Sequence, residues 1–562
     1  MNSSNSHNEG DGAPRGHSVV RGTAIVGSLT LASRLFGFLR DILLAGLFGA
    51  GIRADAFFVA FRIPNLLRSL LAEGALTSAF VPTFTDELQG GKDRAQNLLH
   101  SATTLLLLIS GVISIVGIFW SGQVVRIFAP GFADRPEQFE LATELLQIMF
   151  GYIISVSFVA LVNAALNVFQ IFGYNALAQI VVNLALIGGA LLAWFFSEES
   201  QVFVVAWAVM VGAVAQMAVQ LFGLRKAGLH VRLVSTLWSK PIRNMLFLML
   251  PAVFGTAVYQ VVQFMNTVLA SMLIPGSVTW LFYADRLSQL PLGIFTVALG
   301  SVLLPQLALL SSSGKQEQFA RELENALRFV SFLLLPLSAA LFFSAADFVD
   351  LVFHRGAFLS SDVVMTALAL QAQVLGIWAV SAHSLFVRAF LARKQPAIPA
   401  CIASVNLVLH LVIALGVVGE LSNDGGIVAR FFTSLQSILY PSGGYSFGHI
   451  GLALSMSLGA CASLFLAWGT MRYQVADFSG KRFVRGTVSS LAIAVVGGIA
   501  ASFASGLIEG VFARLSVFSL VFVATYVAGA FMLRMPELQE TFALIARLVE
   551  RRASHAKNPG QP

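Results

Sequence analysis

An all-α polytopic membrane protein with about fourteen transmembrane helices is the fold class this sequence predicts, and three observations predict it. Of the 562 residues 57% are hydrophobic and only 11% are charged, with a mean hydropathy of +0.80, whereas a soluble chain carries about 25% charged residues. Mostly apolar runs of ~20 residues or more, the length a helix needs to cross ~30 Å of hydrocarbon, recur about fourteen times. The basic residues collect in alternate connecting loops, the pattern of a chain that crosses a bilayer repeatedly with its Lys- and Arg-rich loops on the cytoplasmic side.

The runs fall near 22–48, 54–84, 98–127, 138–170, 174–197, 201–224, 243–272, 276–310, 323–353, 362–391, 396–419, 448–471, 485–508 and 513–534. Residues 1–21 are polar and lack the apolar stretch and small-residue cleavage site of a signal peptide, so helix 1 is read as retained. One set of loops carries Lys92 and Arg94, then Arg225 to Arg243, Lys315 and Arg321, Arg393 and Lys394, Arg472 to Arg485, and the tail with Arg551 and Arg552. The opposite set has little more than Arg53, Arg135, Arg355, Arg430 and Arg514, and Glu198 with Glu199 has no basic neighbour. Both termini are therefore expected in the cytoplasm.

A faint repeat divides these helices. Ala75-Leu76-x-Ser78-x-x-x-Pro82 recurs as Ala298-Leu299-x-Ser301-x-x-x-Pro305, an offset of 223 residues that lays helix 1 on helix 7 and helix 2 on helix 8. Six helices preserve orientation, so the expectation is two six-helix lobes, 22–224 and 243–471, as parallel repeats around a central cavity. The basic stretch 225–242 reads as their cytoplasmic linker, and 420–449 as a long outer loop. Two C-terminal helices within 485–534 are left over, with Gly497, Gly498 and small residues suited to close packing. Residues 535–562 read as a cytoplasmic tail.

The charges inside the apolar runs are the chemistry-bearing residues. Arg34, Arg40 and Asp41 lie in helix 1, Asp55, Arg62, Arg68 and Glu73 in helix 2, and Asp285 and Arg286 in helix 8. A charge near the bilayer centre costs roughly 2.5 to 3.5 kcal/mol on insertion scales, so several together are expected to line a wet cavity. Arg40, Arg68 and Arg286 lie roughly 12, 21 and 15 Å from the outer ends of their helices at ~1.5 Å per residue, which puts all three in the middle of the membrane. Arg34 and Asp41 share a stripe, Asp55 and Arg62 share another, and Asp285 adjoins Arg286, so acids stand ready to hold the arginines in place. The excess stays basic. Guanidinium forks match an anion with several oxygens; the competing reading is snorkelling or structural ion pairing.

Helix 7 carries Gln260, Gln263 and Asn266, a polar but neutral wall, and Asn406 and His410 share a face of helix 11 that suits an ion or a buried packing pair. Cys401 and Cys461 sit in apolar runs, which indicates neither a disulfide scaffold nor a thiolate metal site. The net charge of +7 is spread over short loops rather than gathered in a patch, which argues against a nucleic-acid partner. No Walker loop, Gly-x-Ser-x-Gly elbow, His/Glu metalloprotease pair or metal-binding carboxylate cluster occurs in the sequence. ATP-driven pumping is disfavoured, and a membrane-embedded diphosphate enzyme would need a catalytic carboxylate pair or His that the central helices do not offer.

Ser33-Arg34-Leu35-Phe36-Gly37-Phe38-Leu39-Arg40-Asp41, the run from Asp55-Ala56-Phe57-Phe58 through Arg62-Ile63-Pro64-Asn65-Leu66-Leu67-Arg68, Ala72-Glu73-Gly74-Ala75 and Phe80-Val81-Pro82 together resemble the signature of the MurJ (MviN) lipid II flippases. That family belongs to the multidrug, oligosaccharidyl-lipid and polysaccharide exporter superfamily. The resemblance continues through Ala129-Pro130-Gly131-Phe132, Tyr283-Ala284-Asp285-Arg286-Leu287 and Arg355-Gly356-Ala357-Phe358, and covers most of the chain. It implies a transporter rather than an enzyme. The implied cargo is lipid II, the undecaprenyl-diphosphate-linked peptidoglycan precursor, moved from the inner to the outer leaflet of the bacterial cytoplasmic membrane by alternating access for cell-wall synthesis. The alternative is a same-fold exporter of another lipid-linked glycan or a drug. The family's functional arginines match Arg34, Arg40, Arg68 and Arg286 as substrate-binding residues, with Asp55 among the cavity charges that Asp41, Arg62, Glu73 and Asp285 would support. Helices 13 and 14 would form a groove for the lipid tail. No cofactor or metal is expected, the drive being the membrane potential or an ion gradient; other cell-wall synthesis proteins stay open as partners. Ser69 stands where the family often has a second consecutive Arg, and Gln289 where some members carry Glu.

Overall fold

A computed structural model describes residues 16–69, 75–293, 297–421, 426–441 and 444–541. Residues 1–15 of the N-terminal segment, Glu73 with its neighbours 70–74, parts of the outer loop (422–425 and 442–443) and residues 542–562 of the tail lie outside the described residues. The regular structure among the described residues is helical, with one isolated bridge between Val418 and Ser446.

The first half of the chain forms α1 (Gly16–Phe48), α2 (Ile52–Arg68), α3 (Ala75–Gln89), α4 (Lys92–Phe119), α5 (Ser121–Phe128), α6 (Pro136–Met149), α7 (Tyr152–Val168), α8 (Gly173–Ala193) and α9 (Glu198–Lys226). Shifted by 223 residues, the bounds of α1 to α5 fall within two residues of those of α10 (Lys240–Ser271), α11 (Ser277–Pro291), α12 (Val297–Ser312), α13 (Gln316–Phe343) and α14 (Ala345–Phe353). The bent pair α6 and α7 corresponds to the continuous α15 (Ser360–Ala392), and α8 to α16 (Ala397–Val417). An added helix, α17 (Ile427–Leu439), then separates α16 from α18 (Gly448–Gln474). Last come α19 (Lys481–Ser505) and α20 (Val511–Met532). A four-residue sequence identity thus marks a repeat of helix lengths that extends over most of each half.

Nine of these helices are long and apolar enough to cross a membrane singly, or ten with α6 and α7 taken as one span bent by 42°, among the described residues. In the second and eighth apolar runs, residues 70–74 and 294–296 lie outside the described residues. On either side of them α2 and α3 have 17 and 15 residues and α11 and α12 have 15 and 16. Each of the four contains a proline, which removes a helical N–H and crowds the preceding turn.

The chain resolves into two compact units. The first comprises 1–43, 67–116 and 148–253. Its core packs Phe80 and Phe84 of α3 against Leu161 and Leu166 of α7 and Leu98 and Leu99 of α4. The linker between α9 and α10 lies along α4 here: Ser101 donates to the Thr236 carbonyl (2.9 Å), the Val234 N–H donates to Thr104 (3.1 Å), and the His230 carbonyl faces Gln96 and His100. The stretch read as a simple connection is therefore packed structure.

The second unit comprises 44–66, 117–147 and 254–562. Two tight turns meet in it. The Ala357 N–H donates to the Gly46 carbonyl at 2.8 Å, and Gly49 and Gly356 have φ of +61° and +58°. A Cβ at Gly49 would stand 2.2 Å from the Ala357 carbonyl oxygen, and one at Gly356 2.2 Å from that of Gly46, so both the conformation and the approach require glycine. The helix α17, within the stretch 420–449, closes the end of α16. Gln436 donates to the carbonyls of Leu415 and Gly419 (2.8 and 2.7 Å) and the Tyr440 hydroxyl to that of Val412 (2.9 Å), satisfying acceptors that a helix C-terminus leaves open.

Lipid tails are as apolar as leucine, so α19 and α20 gain from close packing rather than from the hydrophobic effect. Phe518, Phe522 and Tyr526 of α20 cluster with Ile493 of α19 and Phe332 of α13, and Tyr526 donates to the Phe332 carbonyl at 2.8 Å. The start of the expected tail belongs to this packing: Met535 and Leu538 are buried in the same cluster, and Glu537 pairs with Arg328 of α13 at 2.6 Å.

Candidate functional site

In the first unit the site begins with Arg40. The residue before the acid on α1 folds its guanidinium back along the helix, where Nε and Nη2 donate to Asp41 Oδ1 at 3.0 and 2.7 Å. Nη1 donates to Asn183 Oδ1 of α8 at 3.1 Å, and Asn183 Nδ2 donates to the Ser33 carbonyl at 3.1 Å. A Cβ at Gly37 would meet Asn183 Nδ2 at 3.5 Å, an ordinary van der Waals contact, which places α8 directly beside this face of α1. The Arg40 and Asp41 side chains are 12% and 3% exposed, so the pair is held away from bulk water. Asn183 is a partner of Arg40 that the charges did not reveal. Its signal was an isolated amide in the apolar run Ile180-Val181-Val182-Asn183-Leu184-Ala185-Leu186.

Arg34 is exposed on α1, and Arg68 is half-buried in the last turn of α2. Asp41, expected to share a stripe with Arg34, pairs with the adjacent Arg40 at 2.7 Å, the long arginine side chain folding round to reach it.

In the second unit Arg62, Asp285, Gln263, Asn266 and Gln373 line a cavity of about 40 Å³ closed on its apolar side by Phe282, Leu452 and Met456. Asp285 lies within electrostatic reach of Arg62 and Arg286, and its Oδ2 accepts from Gln289 Nε2 at 2.6 Å. Arg286 lies over the Phe282 ring at 4.9 Å from its centroid, the geometry of a cation–π contact. Asp285 thus serves both basic residues of its neighbourhood, a wider role than counter-ion to Arg286 alone.

Asp55 needs a correction. It was expected among the cavity charges on a stripe with Arg62, but the structure buries it at 1% exposure and turns it to the start of α11. Its Oδ2 accepts the Gly276 N–H at 2.7 Å, and Oδ1 accepts the Thr279 N–H and hydroxyl at 2.9 and 2.6 Å. A carboxylate on the open N–H groups of a helix N-terminus is a cap. Its place as the fourth residue of α2 explains this: there it stands at the turn end of the helix, within reach of the first turn of α11.

Arg34, Arg40 and Arg68 belong to the first unit, and Arg62, Asp285 and Arg286 to the second. Chemically, the arrangement offers guanidinium donors for oxyanions, with acids and amides fixing their direction. Among the described residues no group of three or more His, Cys, Asp or Glu could hold a metal ion.

The family model described as "Lipid II flippase MurJ" matches residues 44–524. A probable lipid II flippase MurJ of Buchnera aphidicola subsp. Schizaphis graminum is 32% identical over 469 residues, 82% of this chain and 86% of that protein. The lipid II flippase MurJ of Burkholderia cenocepacia is 34% identical over 465 residues, 81% of this chain and 84% of that one. Among solved structures, a lipid II flippase MurJ in an inward closed conformation superposes with a TM-score of 0.73 at 22% identity, covering 91% of this chain and 99% of its own. An inward-facing multidrug resistance MATE family transporter of the MOP superfamily superposes at 0.63 and 13% identity, over 82% and 99%. The two superpositions establish a shared fold.

Proposed function

The chain belongs to the MurJ family of lipid II flippases, and from that premise we propose that it carries lipid II from the inner to the outer leaflet of the bacterial cytoplasmic membrane by alternating access. It is a multi-pass membrane transporter and not an enzyme. Arg34, Arg40, Arg68 and Arg286 are the residues assigned to the diphosphate, and α19 and α20 to the polyprenyl tail. Both termini are assigned to the cytoplasm by the loop charges.

Arg40 is the observation that carries this reading. A guanidinium has five N–H donors, and the three bonds to Asp41 and Asn183 use three of them. Two N–H groups of an immobilised fork are left to meet an oxyanion. A purely structural ion pair has no need of a second element that orients the arginine, and Asn183 supplies one. The drive assigned to the cycle is the membrane potential, worth about 2.3 kcal/mol per charge per 100 mV on a basic cavity that moves through the field.

The test is translocation of lipid II by the purified protein in liposomes. Arg286→Ala is expected to abolish it while inserting normally, and Arg286→Lys, which keeps the charge and loses the fork, to retain a minor part. A fully active Arg286→Ala variant would contradict the assignment.

A further inference from the structure

α17 has no counterpart in the first half of the chain, where four residues join α8 to α9. At ~100° per residue its 13 residues sort into three faces. Ala429, Phe432 and Gln436 fill a sector of ~60° turned to the protein; the first two are buried, and Gln436 makes the bonds to α16 described above. Arg430, Thr433, Ser434 and Ser437 fill ~100° and are all polar. The remaining ~120° is wholly apolar, formed by Ile427, Val428, Phe431, Leu435, Ile438 and Leu439. Ile427, Phe431 and Ile438 there are 85%, 60% and 73% exposed. A helix that only capped α16 would be polar wherever it leaves the protein.

Its attachment fixes the depth of this apolar face. Gln436 and Tyr440 bond the carbonyls of Val412, Leu415 and Gly419, at the end of a helix that is itself long and apolar enough to cross the membrane. The headgroup layer beyond the hydrocarbon is about 5–7 Å thick on each side, about the rise of one helical turn. The stripe therefore stands at the boundary between acyl chains and headgroups. The chain after α17 is held at the same level, since the Tyr445 and Phe447 N–H groups donate to the Gly416 and Val417 carbonyls at 2.9 and 3.0 Å. Their rings are exposed and stacked 6.1 Å apart, and amphipathic rings collect at this depth. α17 carries no Asp or Glu. Its one charge, Arg430, stands on the polar face about 60° round from Ile427, which suits the phosphate of a lipid headgroup. The exposed Val405 and Val408 of α16 continue the apolar surface toward the bilayer centre.

We propose that α17 is an interfacial anchor, lying in the plane of the membrane with its Ile427–Phe431–Ile438 stripe in the acyl boundary of the outer leaflet, Arg430 at the phosphates and Ser434 and Ser437 in water. The partner is the lipid surface itself. A helix with one apolar and one polar face is bound by the apolar area it buries and by attraction of its cation to lipid phosphate. The anchor holds that end of α16 at a fixed depth, a device the first half of the chain lacks. The assignment to the outer leaflet rests on the topology read above from the loop charges.

Spin-label accessibility of the full-length protein tests the proposal. With Cys401 and Cys461 replaced by alanine, a nitroxide is attached at Ile427→Cys, Phe431→Cys, Ile438→Cys, Ser434→Cys or Ser437→Cys, all at exposed positions, and each protein is reconstituted in phosphatidylethanolamine–phosphatidylglycerol vesicles. Collisions with oxygen, which concentrates among acyl chains, are compared with collisions with a water-soluble nickel chelate. Oxygen is expected to dominate at 427, 431 and 438, and nickel at 434 and 437. Nickel dominating at all five positions would put the stripe in water and overturn the proposal. Labels at 427, 431 and 438 shielded from both reagents would show that a second copy covers the stripe, which overturns it too.

The leaflet is decided separately, by adding a membrane-impermeant maleimide to spheroplasts carrying Ser434→Cys in the same background. Labelling of the intact spheroplasts is expected. Labelling only after permeabilisation would overturn the outer-leaflet placement together with the topology it rests on, and the collision pattern would still decide whether lipid covers α17.

Discussion

Asp55 and the glycines of the paired turns make claims about single side chains. Asp55→Ala removes the cap on α11 and leaves three buried donors without acceptors; the cap alone is worth about 1 kcal/mol, and each stranded donor about 1–3 kcal/mol. The expected result is a lower melting temperature in detergent, with Asp55→Asn intermediate. Gly356→Ala would force a Cβ against the Gly46 carbonyl at positive φ, and a clear loss of thermal stability is expected there too. Asn183→Leu tests the positioning of Arg40. Losing a hydrogen bond to a charged group costs about 1.5–3 kcal/mol, so translocation should fall on the order of tenfold with membrane insertion unchanged; undiminished transport would show that the amide does not orient the arginine. The charges themselves were legible in the sequence because ionisable residues stand out in apolar runs. Asn183, Asp55's bonds to Gly276 and Thr279, and the Arg62 and Asp285 neighbourhood were not, because they join residues 143, 221, 224 and 223 positions apart in different elements, and helical periodicity relates only residues on one helix.

Helices carried the strongest sequence signal. Fourteen apolar runs correspond to the described helices in order, and the offset seen in Ala75 to Pro82 reappears in helix bounds as far as α16. The second and eighth runs carry Pro64 and Pro82, and Pro291 and Pro305, inside their described helices, with 70–74 and 294–296 outside the described residues. The loop at 420–449 concealed α17 because 13 residues between glycine- and serine-rich flanks are too few to register as a span. Its fixation to α16 through Gln436 is testable: Gln436→Ala should cost about 1 kcal/mol and raise amide hydrogen exchange selectively across 427–439. Uniform exchange in wild type and variant would show that α17 is held by something else.

As a whole the chain is a transporter that keeps a few charges within its apolar helices while most of its charged residues lie in the connecting loops and termini. If the cavity arginines carry the field-dependent step, collapsing the potential with an ionophore at constant pH should slow translocation. Opposite polarities should have opposite effects. The central claim is that Arg286 and its partners move lipid II across the membrane. The most direct measurement depletes the protein in its bacterium and asks whether lipid II remains accessible to an externally added enzyme that cleaves it. The account predicts that the precursor becomes trapped in the inner leaflet, and that wild type, but not Arg286→Ala at equal abundance, restores its exposure. Lipid II still fully exposed after depletion, or restored equally by Arg286→Ala, would contradict it.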